Sequence, residues 1–441
     1  MLLSKFVKVM LFLKPSSVIS ERMEKVNPAP VVHSPFFSIL KNTIFTLQAT
    51  GAGSTRMVQY LCMKIIVFTG GGIAPALNAT LYGIITEAQK RRWQIFGGIF
   101  GWASLLPQGK MINLSRTNVH AIQKQGGSFL RSSRTNPFKD SATTASVLRT
   151  IKRNRFDGII PIGGDDTLGA AHRLVQQYHL PIIGVPKTID NDLACTYFTP
   201  GFPTAAATLA RYTDTLKQAA YGAKRIFIIE VMGGKAGWLS TAAALGGADC
   251  IVPPECPTSL AHLITLTKKR YKENGSCAVV VVSHQSRIGN LKSTYAVQRD
   301  AYGIKRAHLI SIPLRDAIEK RLGIETLIAL PANIVSATDP IPLDQQSAEA
   351  IGRYAVGLIA QKRYGNMVAI NKTLRPLAIP LARAVAKKSY HTLTPSDFDF
   401  KNLQPRPPLM RYLETVTGLP HSTEKPYAQF LKKFVKKTDS R

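Results

Sequence analysis

Paired cysteines are missing from this chain: its five, Cys62, Cys195, Cys250, Cys256 and Cys277, are odd in number and form no CxxC pair. A disulfide framework therefore has no support, and a reduced, cytoplasmic protein fits best. Long apolar runs are missing too. Near the N-terminus the longest uncharged run, residues 9–13, is closed off by Lys8 and Lys14. It falls short of the about 7 to 15 residues of a secretory core, so neither export nor a membrane span is expected. Acidic residues are few, 26 against 57 Lys and Arg, for a formal net charge of +31. Such a balance points to anionic ligands, a nucleic acid surface or a basic proteome. Residues 1–62 hold 7 basic and 2 acidic residues and residues 421–441 hold 6 and 2, so no single arm carries the excess. Zinc-finger spacing, an RNA-binding aromatic motif and a basic heptad region are all absent, and no specific nucleic acid partner is expected. Neither GxGxxG nor GxxxxGK[ST] occurs, which disfavours a Rossmann dinucleotide site and a P-loop.

What the 441 residues do contain is alternation. Bulky apolar runs at 64–68, 94–100, 156–162, 181–186, 225–231 and 277–282 read as strands, and the patterns at 77–92, 146–154, 168–179 and 205–221 read as helices. This order predicts an α/β fold, with right-handed crossovers and a mostly parallel sheet covered on both faces. Residues 1–62, with Pro28, Pro30, Pro35 and a loop-like Gly51–Thr55, show no sustained periodicity. They read as an N-terminal extension, either an upstream start or a basic targeting arm. Residues 421–441 read as a basic, solvated tail.

Ligands of parallel sheets bind beyond the carboxyl ends of the strands. Two such ends carry concentrated chemistry: Gly163-Gly164-Asp165-Asp166-Thr167 and Pro186-Lys187-Thr188-Ile189-Asp190-Asn191-Asp192. A third is the loop Gly70-Gly71-Gly72, which joins a strand to a helix and offers its amides as a phosphate cradle. Glycines let a polyanion approach the backbone, carboxylates can hold Mg²⁺ or take a proton, and a lysine can neutralise charge on a transferred phosphoryl group. Together they predict a phosphoryl transfer site.

In combination with Gly126–Leu130, Ser133–Pro137, Gly201–Ala205, Glu230–Gly233 and Gly246–Asp249, these segments resemble the phosphofructokinase family over residues 63–420. The resemblance implies two α/β lobes with mostly parallel sheets flanked by helices and the active site in the cleft between them. A donor lobe would span about 63–201 and 336–385, an acceptor lobe about 202–335 and 386–420. It implies Asp190 as general base, Asp165 and Asp192 as supports of Mg²⁺, Thr188 as an orienting group and Arg134 as a bridge to the transferred phosphoryl. Gly71, Gly72, Gly164 and Thr167 would face the donor. A homodimer or homotetramer would bring Arg225 to a neighbour's acceptor pocket.

Donor choice rests on two positions. ATP-using relatives resemble GGDG and PGTIDND, whereas this chain has Asp166 and Lys187. A carboxylate at 166 crowds and repels a nucleotide α-phosphate, and Lys187 reaches the end of a smaller donor, so pyrophosphate (PPi) is expected over ATP.

Acceptor choice is where the chain departs from the family. The usual MGR reads Met232-Gly233-Gly234-Lys235, a usual glutamate gives way to Ser283-His284-Gln285, and the usual GHxQRGG reads Ala332–Thr338 without arginine or histidine. In the family that last stretch and an upstream arginine, here Leu327, hold the 6-phosphate of fructose 6-phosphate. Charge-assisted contacts of about 1.5 to 3 kcal/mol each are lost with them. Three readings follow: fructose 6-phosphate held by other cations such as Lys235, Arg287, Lys305 or Arg306 (with Met232, Gly233 and His284 nearby); an unphosphorylated sugar or polyol; or a regulatory or structural subunit that keeps the fold.

Overall fold

The computed structural model describes residues 63–233, 236–292, 309–386 and 390–420. Two parallel-based sheets organise them. The larger takes β1 (Lys64–Gly70), β2 (Gln94–Gly98), β3 (Met111–Asn113), β4 (Ser132–Ser133), β5 (Gly158–Gly163), β6 (Ile183–Pro186), and then β11 (Asn366–Ile370) and β12 (Pro376–Pro380). The second contains β7 (Ile226–Val231), β8 (Cys250–Val252), β9 (Ala278–Ser283) and β10 (Thr326–Ala329), in the order β10-β7-β9-β8 and parallel throughout. The predicted α/β class is the one observed.

Why the strands lie centrally follows from their sequences. Ile65, Ile66, Val67 and Phe68 of β1 and Val279 to Val282 of β9 are all fully buried; β-branched residues on both faces suit a sheet covered on both sides. In the larger sheet β6, β5, β1 and β2 run parallel and adjacent, so the loops leaving β6, β5 and β1 emerge at one edge. Only β3 and β12, at the ends of the order, run antiparallel to their neighbours.

Three of the four expected helices begin earlier than their apolar periodicity does, while the one expected from 77 starts at Leu77 as read; a first turn need not carry the apolar pattern of the turns that follow. The helix expected from 146 starts at Ser141, where the Asp140 carboxylate accepts the Thr143 N–H at 2.7 Å. The helix expected from 168 starts at Asp165, putting Asp165 and Asp166 in its first turn, where the helix dipole favours negative charge. The one expected from 205 starts at Phe202, with Pro203 in its first turn.

Helices Leu77–Lys90 and Pro342–Ala360 cross at close range through paired glycines. A Cβ at Gly83 would lie 2.3 Å from the Glu349 carbonyl oxygen, and one at Gly352 2.5 Å from that of Thr80. This crossing anchors the helix that follows the Gly70–Gly72 loop. Among the described residues no helix is long and apolar enough to cross a membrane.

Candidate active site

At the carboxyl end of β1 the chain turns through Gly71 at φ +83°, a conformation that favours glycine. The two-residue strand β4 pairs with Thr69 and Gly70, and the Gly71 N–H donates to the Ser133 carbonyl at 3.0 Å. Ser132 Oγ donates to the Gly71 carbonyl at 2.8 Å. These bonds hold exposed Arg134 beside the glycine loop, although the two segments lie about sixty residues apart in the chain.

Thr167 sits behind this surface, 2 % exposed, in space that only glycines leave open. A Cβ on Gly163 would fall 2.4 Å from its Cβ, and one on Gly70 2.5 Å from its Oγ1. Thr167 therefore packs the two loops together. Gly72 and Gly164 have open space in front of them, with no atom closer than 3.7 Å to an added Cβ.

Lys187 is the central cation. Its side chain is buried, its N–H donates to the Gly163 carbonyl at 3.0 Å, and its Nζ donates to the Gly72 carbonyl. The space a Cβ would take at Gly71 lies 3.4 Å from Nζ. Burial first and the Arg134 charge second pull its pKa down to about 8, with the Asp190 carboxylate working in the opposite sense. Lys187, Arg134 and Asp190 thus share one local field.

The loop after β6 is folded by its own side chains. Thr188 Oγ1 accepts the Asp190 N–H at 3.1 Å, and the Thr188 carbonyl accepts from Thr199 Oγ1 at 2.7 Å. Asn191 takes a left-handed φ of 55°, its Oδ1 accepting the Thr199 N–H at 3.0 Å and its Nδ2 donating to Tyr412 Oη at 2.9 Å. This turn leaves the Asp190 side chain half-exposed and draws Asp192 inward to burial. Asp165 Oδ1 accepts the Asp166 N–H at 2.8 Å, and Oδ2 accepts from Tyr390 Oη at 2.9 Å. The next residue, His391, donates its N–H to the Asp192 carbonyl at 2.9 Å. Two consecutive residues thus tie Asp165 and Asp192 to one strap.

That strap continues to the second sheet. The His391 carbonyl accepts from Trp238 Nε1 at 2.6 Å, and Glu255 Oε1 accepts the N–H groups of both Gly237 and Leu393 at 3.0 Å. At the carboxyl ends of β7 and β9 stand Met232, Gly233 and His284, the last donating its N–H to the Val231 carbonyl at 3.0 Å. Buried Ser283 Oγ lies 2.9 Å from where a Gly233 Cβ would be and has no hydrogen-bond partner among the described residues. Lys235, Lys305 and Arg306 lie outside the described residues.

Arg225 is not brought to this cluster. It precedes β7 at the amino end of the sheet, roughly 20 Å of strand from Val231, and pairs there with Glu325 at 2.8 Å. The stretch 332–338, expected as a phosphate-binding loop in the family, is a short helix, Ala332–Ala337, with no basic residue; Ile334 within it and Leu330 before it are 54 % and 46 % exposed. Among the described residues no three His, Cys, Asp or Glu side chains cluster as a self-sufficient metal site.

Sequence reasoning missed Tyr390, His391, Tyr412 and the role of Asn191. No local signal marks the first three, which lie about 200 residues beyond the loops they hold. Asn191 was legible in principle, since Asn is the non-glycine residue best suited to a left-handed turn.

A glycine loop, a buried lysine and carboxylates at adjacent parallel strand ends define a phosphotransferase acting on an alcohol acceptor. The chain belongs to the phosphofructokinase family: the model of the family "Phosphofructokinase" matches residues 64–359. Among relatives, a pyrophosphate–fructose 6-phosphate 1-phosphotransferase of Dictyoglomus thermophilum is 35 % identical over 331 residues, covering 74 % of this chain and 94 % of that protein. An ATP-dependent 6-phosphofructokinase of Mycobacterium leprae is 30 % identical, covering 70 % and 90 %. Among solved structures, a pyrophosphate-dependent phosphofructokinase from Nitrosospira multiformis shares the fold at a TM-score of 0.71 and 19 % identity, over 81 % of this chain and 92 % of that one. Tyr390 and Tyr412 lie beyond the family-model match.

Proposed function

We propose that the protein transfers a phosphoryl group from PPi to the free hydroxyl of fructose 6-phosphate, giving fructose 1,6-bisphosphate. The observation that carries the donor half is Lys187, buried and bonded to the Gly72 carbonyl, next to a helix that opens with Asp165-Asp166. A nucleotide would place its α-phosphate against Asp166, whereas PPi needs only the glycine loop, Lys187 and Arg134. Asp190 accepts the proton of the attacking hydroxyl, and Lys187 and Arg134 offset the charge that builds on the transferred group. Thr188 and the acceptor-side Met232, Gly233, Lys235 and His284 position the sugar. Arg225 serves a neighbouring subunit's pocket in a homodimer or homotetramer. We place the enzyme in the cytoplasm; all four described cysteines are free thiols, which supports a reducing compartment.

Mg²⁺ fits the oxygen donors present. Hard carboxylates at 165 and 192, the first held by the Tyr390 hydroxyl and the second on a main chain held by the His391 N–H, suit an ion that takes one or two protein carboxylates and completes its shell with substrate phosphates and water. Bound there, it would neutralise donor oxygens. Tyr390→Phe removes the phenol that orients Asp165 while keeping the ring. We expect the Mg²⁺ concentration for half-maximal turnover to rise about tenfold, with an unchanged thermal midpoint; a metal titration of activity reads it.

A second acceptor reading is favoured by one observation, the uncharged Ala332–Ala337 helix with Ile334 exposed on it and Leu330 exposed before it. It allows an unphosphorylated sugar or polyol. The deciding assay pairs PPi or ATP with fructose 6-phosphate, other sugar phosphates, free sugars and polyols in Mg²⁺. We expect PPi to exceed ATP by about a hundredfold in kcat/KM, a gap that a charge clash at Asp166 can supply, and fructose 6-phosphate to lead the acceptors. Turnover with ATP alone sinks the donor assignment, and preference for a free sugar replaces the acceptor.

A further inference from the structure

Part of the excess positive charge, which no motif localises in the sequence, is gathered by the fold. Strands β2, β1, β5, β6 and β11 run parallel and adjacent. The helices that precede β2, β5, β6 and β11 therefore end together at the amino edge of the sheet, roughly 20 Å of strand from the transfer site. Just past each of these helix ends lies a residue in the left-handed conformation: Arg92 at φ 57°, Arg155 at 52°, His179 at 51° and Lys362 at 55°. Glycine is the usual residue there, and the chain uses it after other helices, at Gly323 and Gly418. A side chain is strained in that conformation and glycine is not. The helix dipole does not ask for the strain, since Lys90, Lys152 and Arg153 already serve it from the last helical turns.

The resulting charge is left open. Lys152, Arg153, Arg155, Lys362 and Arg363 are exposed and join no ion pair among the described residues. The carboxylates of these turns and of the last helical turns before them are Glu87 and Asp157, and both are engaged. Glu87 pairs with Arg91 at 2.8 Å, and Asp157 Oδ2 accepts the Lys64 N–H at 2.7 Å. At β6, between the cations that precede β5 and those that precede β11, stands Tyr178, 41 % exposed, next to exposed His179. From β2 to β11 the edge runs through four strand spacings, about 20 Å.

An anionic membrane or an acidic protein asks only for the cations. Cations spread along an edge with an open aromatic ring among them suit a nucleic acid strand, whose phosphates follow the charge while a base stacks on the ring. In the compartment proposed above that strand is RNA. We propose that the amino edge of the larger sheet is a sequence-independent docking surface for single-stranded RNA, separate from the transfer reaction at the opposite edge. Only the choice of RNA over DNA rests on the compartment; neither donor nor acceptor enters.

The test follows the fluorescence anisotropy of a labelled oligouridylate of about 12 nucleotides on the full-length protein, with PPi and Mg²⁺ present to occupy the transfer site. Saturable binding is expected, weakening with salt as counterions are released. Arg155→Gly/Lys362→Gly should weaken it by about tenfold or more at low salt and flatten the slope of log K against log salt by about 1.4, at about 0.7 per phosphate contact. Because glycine accepts both left-handed positions, the thermal midpoint should not fall, and turnover should not change. Tyr178→Ala should weaken binding by about fivefold or more at an unchanged salt slope, the mark of stacking lost without charge. Lys268→Ala/Lys320→Ala removes the same charge from exposed positions on helices of the second sheet and should change binding by less than about twofold. No saturable binding, displacement of RNA by PPi at constant ionic strength, or an equal loss in the Lys268/Lys320 variant overturns the surface. Wild-type binding by Tyr178→Ala, or competition by phosphatidylglycerol vesicles equal to that of unlabelled RNA, assigns the edge to a partner that reads charge alone and overturns RNA.

Discussion

Asp190→Asn should cost about 10³-fold in turnover, within the about 10²- to 10⁴-fold contribution of a general base, with at most a small fall in the thermal midpoint. The two halves of this expectation come from different features of the loop. Asn is isosteric with Asp, and the bond that shapes the turn, from the residue 190 N–H to Thr188 Oγ1, belongs to the backbone and survives the change. The side chain is half-exposed, and the charge it gives up acts on Lys187, so the effect on folding should be small. What disappears is the proton acceptor. The loss should fall on kcat more than on KM, as expected for a group that acts as the transition state forms. The variant should also carry a second signature. The Asp190 charge helps keep Lys187 protonated, so removing it should move any remaining activity to lower pH. Single-turnover kinetics across pH, with thermal melts of both proteins, read all of this. Near wild-type turnover would remove Asp190 from the role of base.

How much of this could be read in advance differs between donor and acceptor sides for a physical reason. Donor groups sit within a few residues of the carboxyl ends of β1, β5 and β6. Strand ends are visible as the close of an apolar run, so Lys187, Asp190 and the glycine loop were legible as one edge. Arg134 was less so, because a two-residue strand leaves no periodicity; only the bonds from Ser132 and Ser133 to the Gly71 loop put it there. Three of the four expected helix starts were displaced by three to five residues, since a first turn, such as the one Asp140 caps, carries no apolar pattern. The acceptor side depends on the strap around Tyr390–Leu393, which joins both sheets through backbone carbonyls, Trp238 and Glu255. Contacts of that kind use whichever residue happens to be present. They leave no spacing to find.

Lys187→Met should lose turnover by about 10²- to 10³-fold, as for a group that stabilises developing charge, and yet give a more stable protein at neutral pH. Burial lowers the folded-state pKa of Lys187 from the ordinary 10.5 to about 8. Between those values the unfolded chain binds more protons than the folded one, so stability rises with pH through that window and is lowest below it. At pH 7 the full penalty of the buried ammonium is present, at most about 3 kcal/mol for a shift of this size. Methionine removes it with similar bulk, at the loss of the Nζ bond to the Gly72 carbonyl, worth about 1 kcal/mol. A net gain of about 1 to 2 kcal/mol remains, or a midpoint higher by about 1 to 2 °C in a protein of this size. Measured at pH 10.5, where the wild-type lysine is neutral in the folded state, the difference should vanish or reverse. The same group should set the alkaline limb of kcat/KM near pH 8, because only the ammonium neutralises donor charge; with PPi bound, the kcat limb should lie higher, since the added negative charge favours the protonated form. A Met variant that is less stable at pH 7 would show that the ammonium is not penalised by burial, and one that keeps its activity would take Lys187 out of the donor site. Gain of stability with loss of turnover is the outcome expected of a cation buried for chemistry and not for folding.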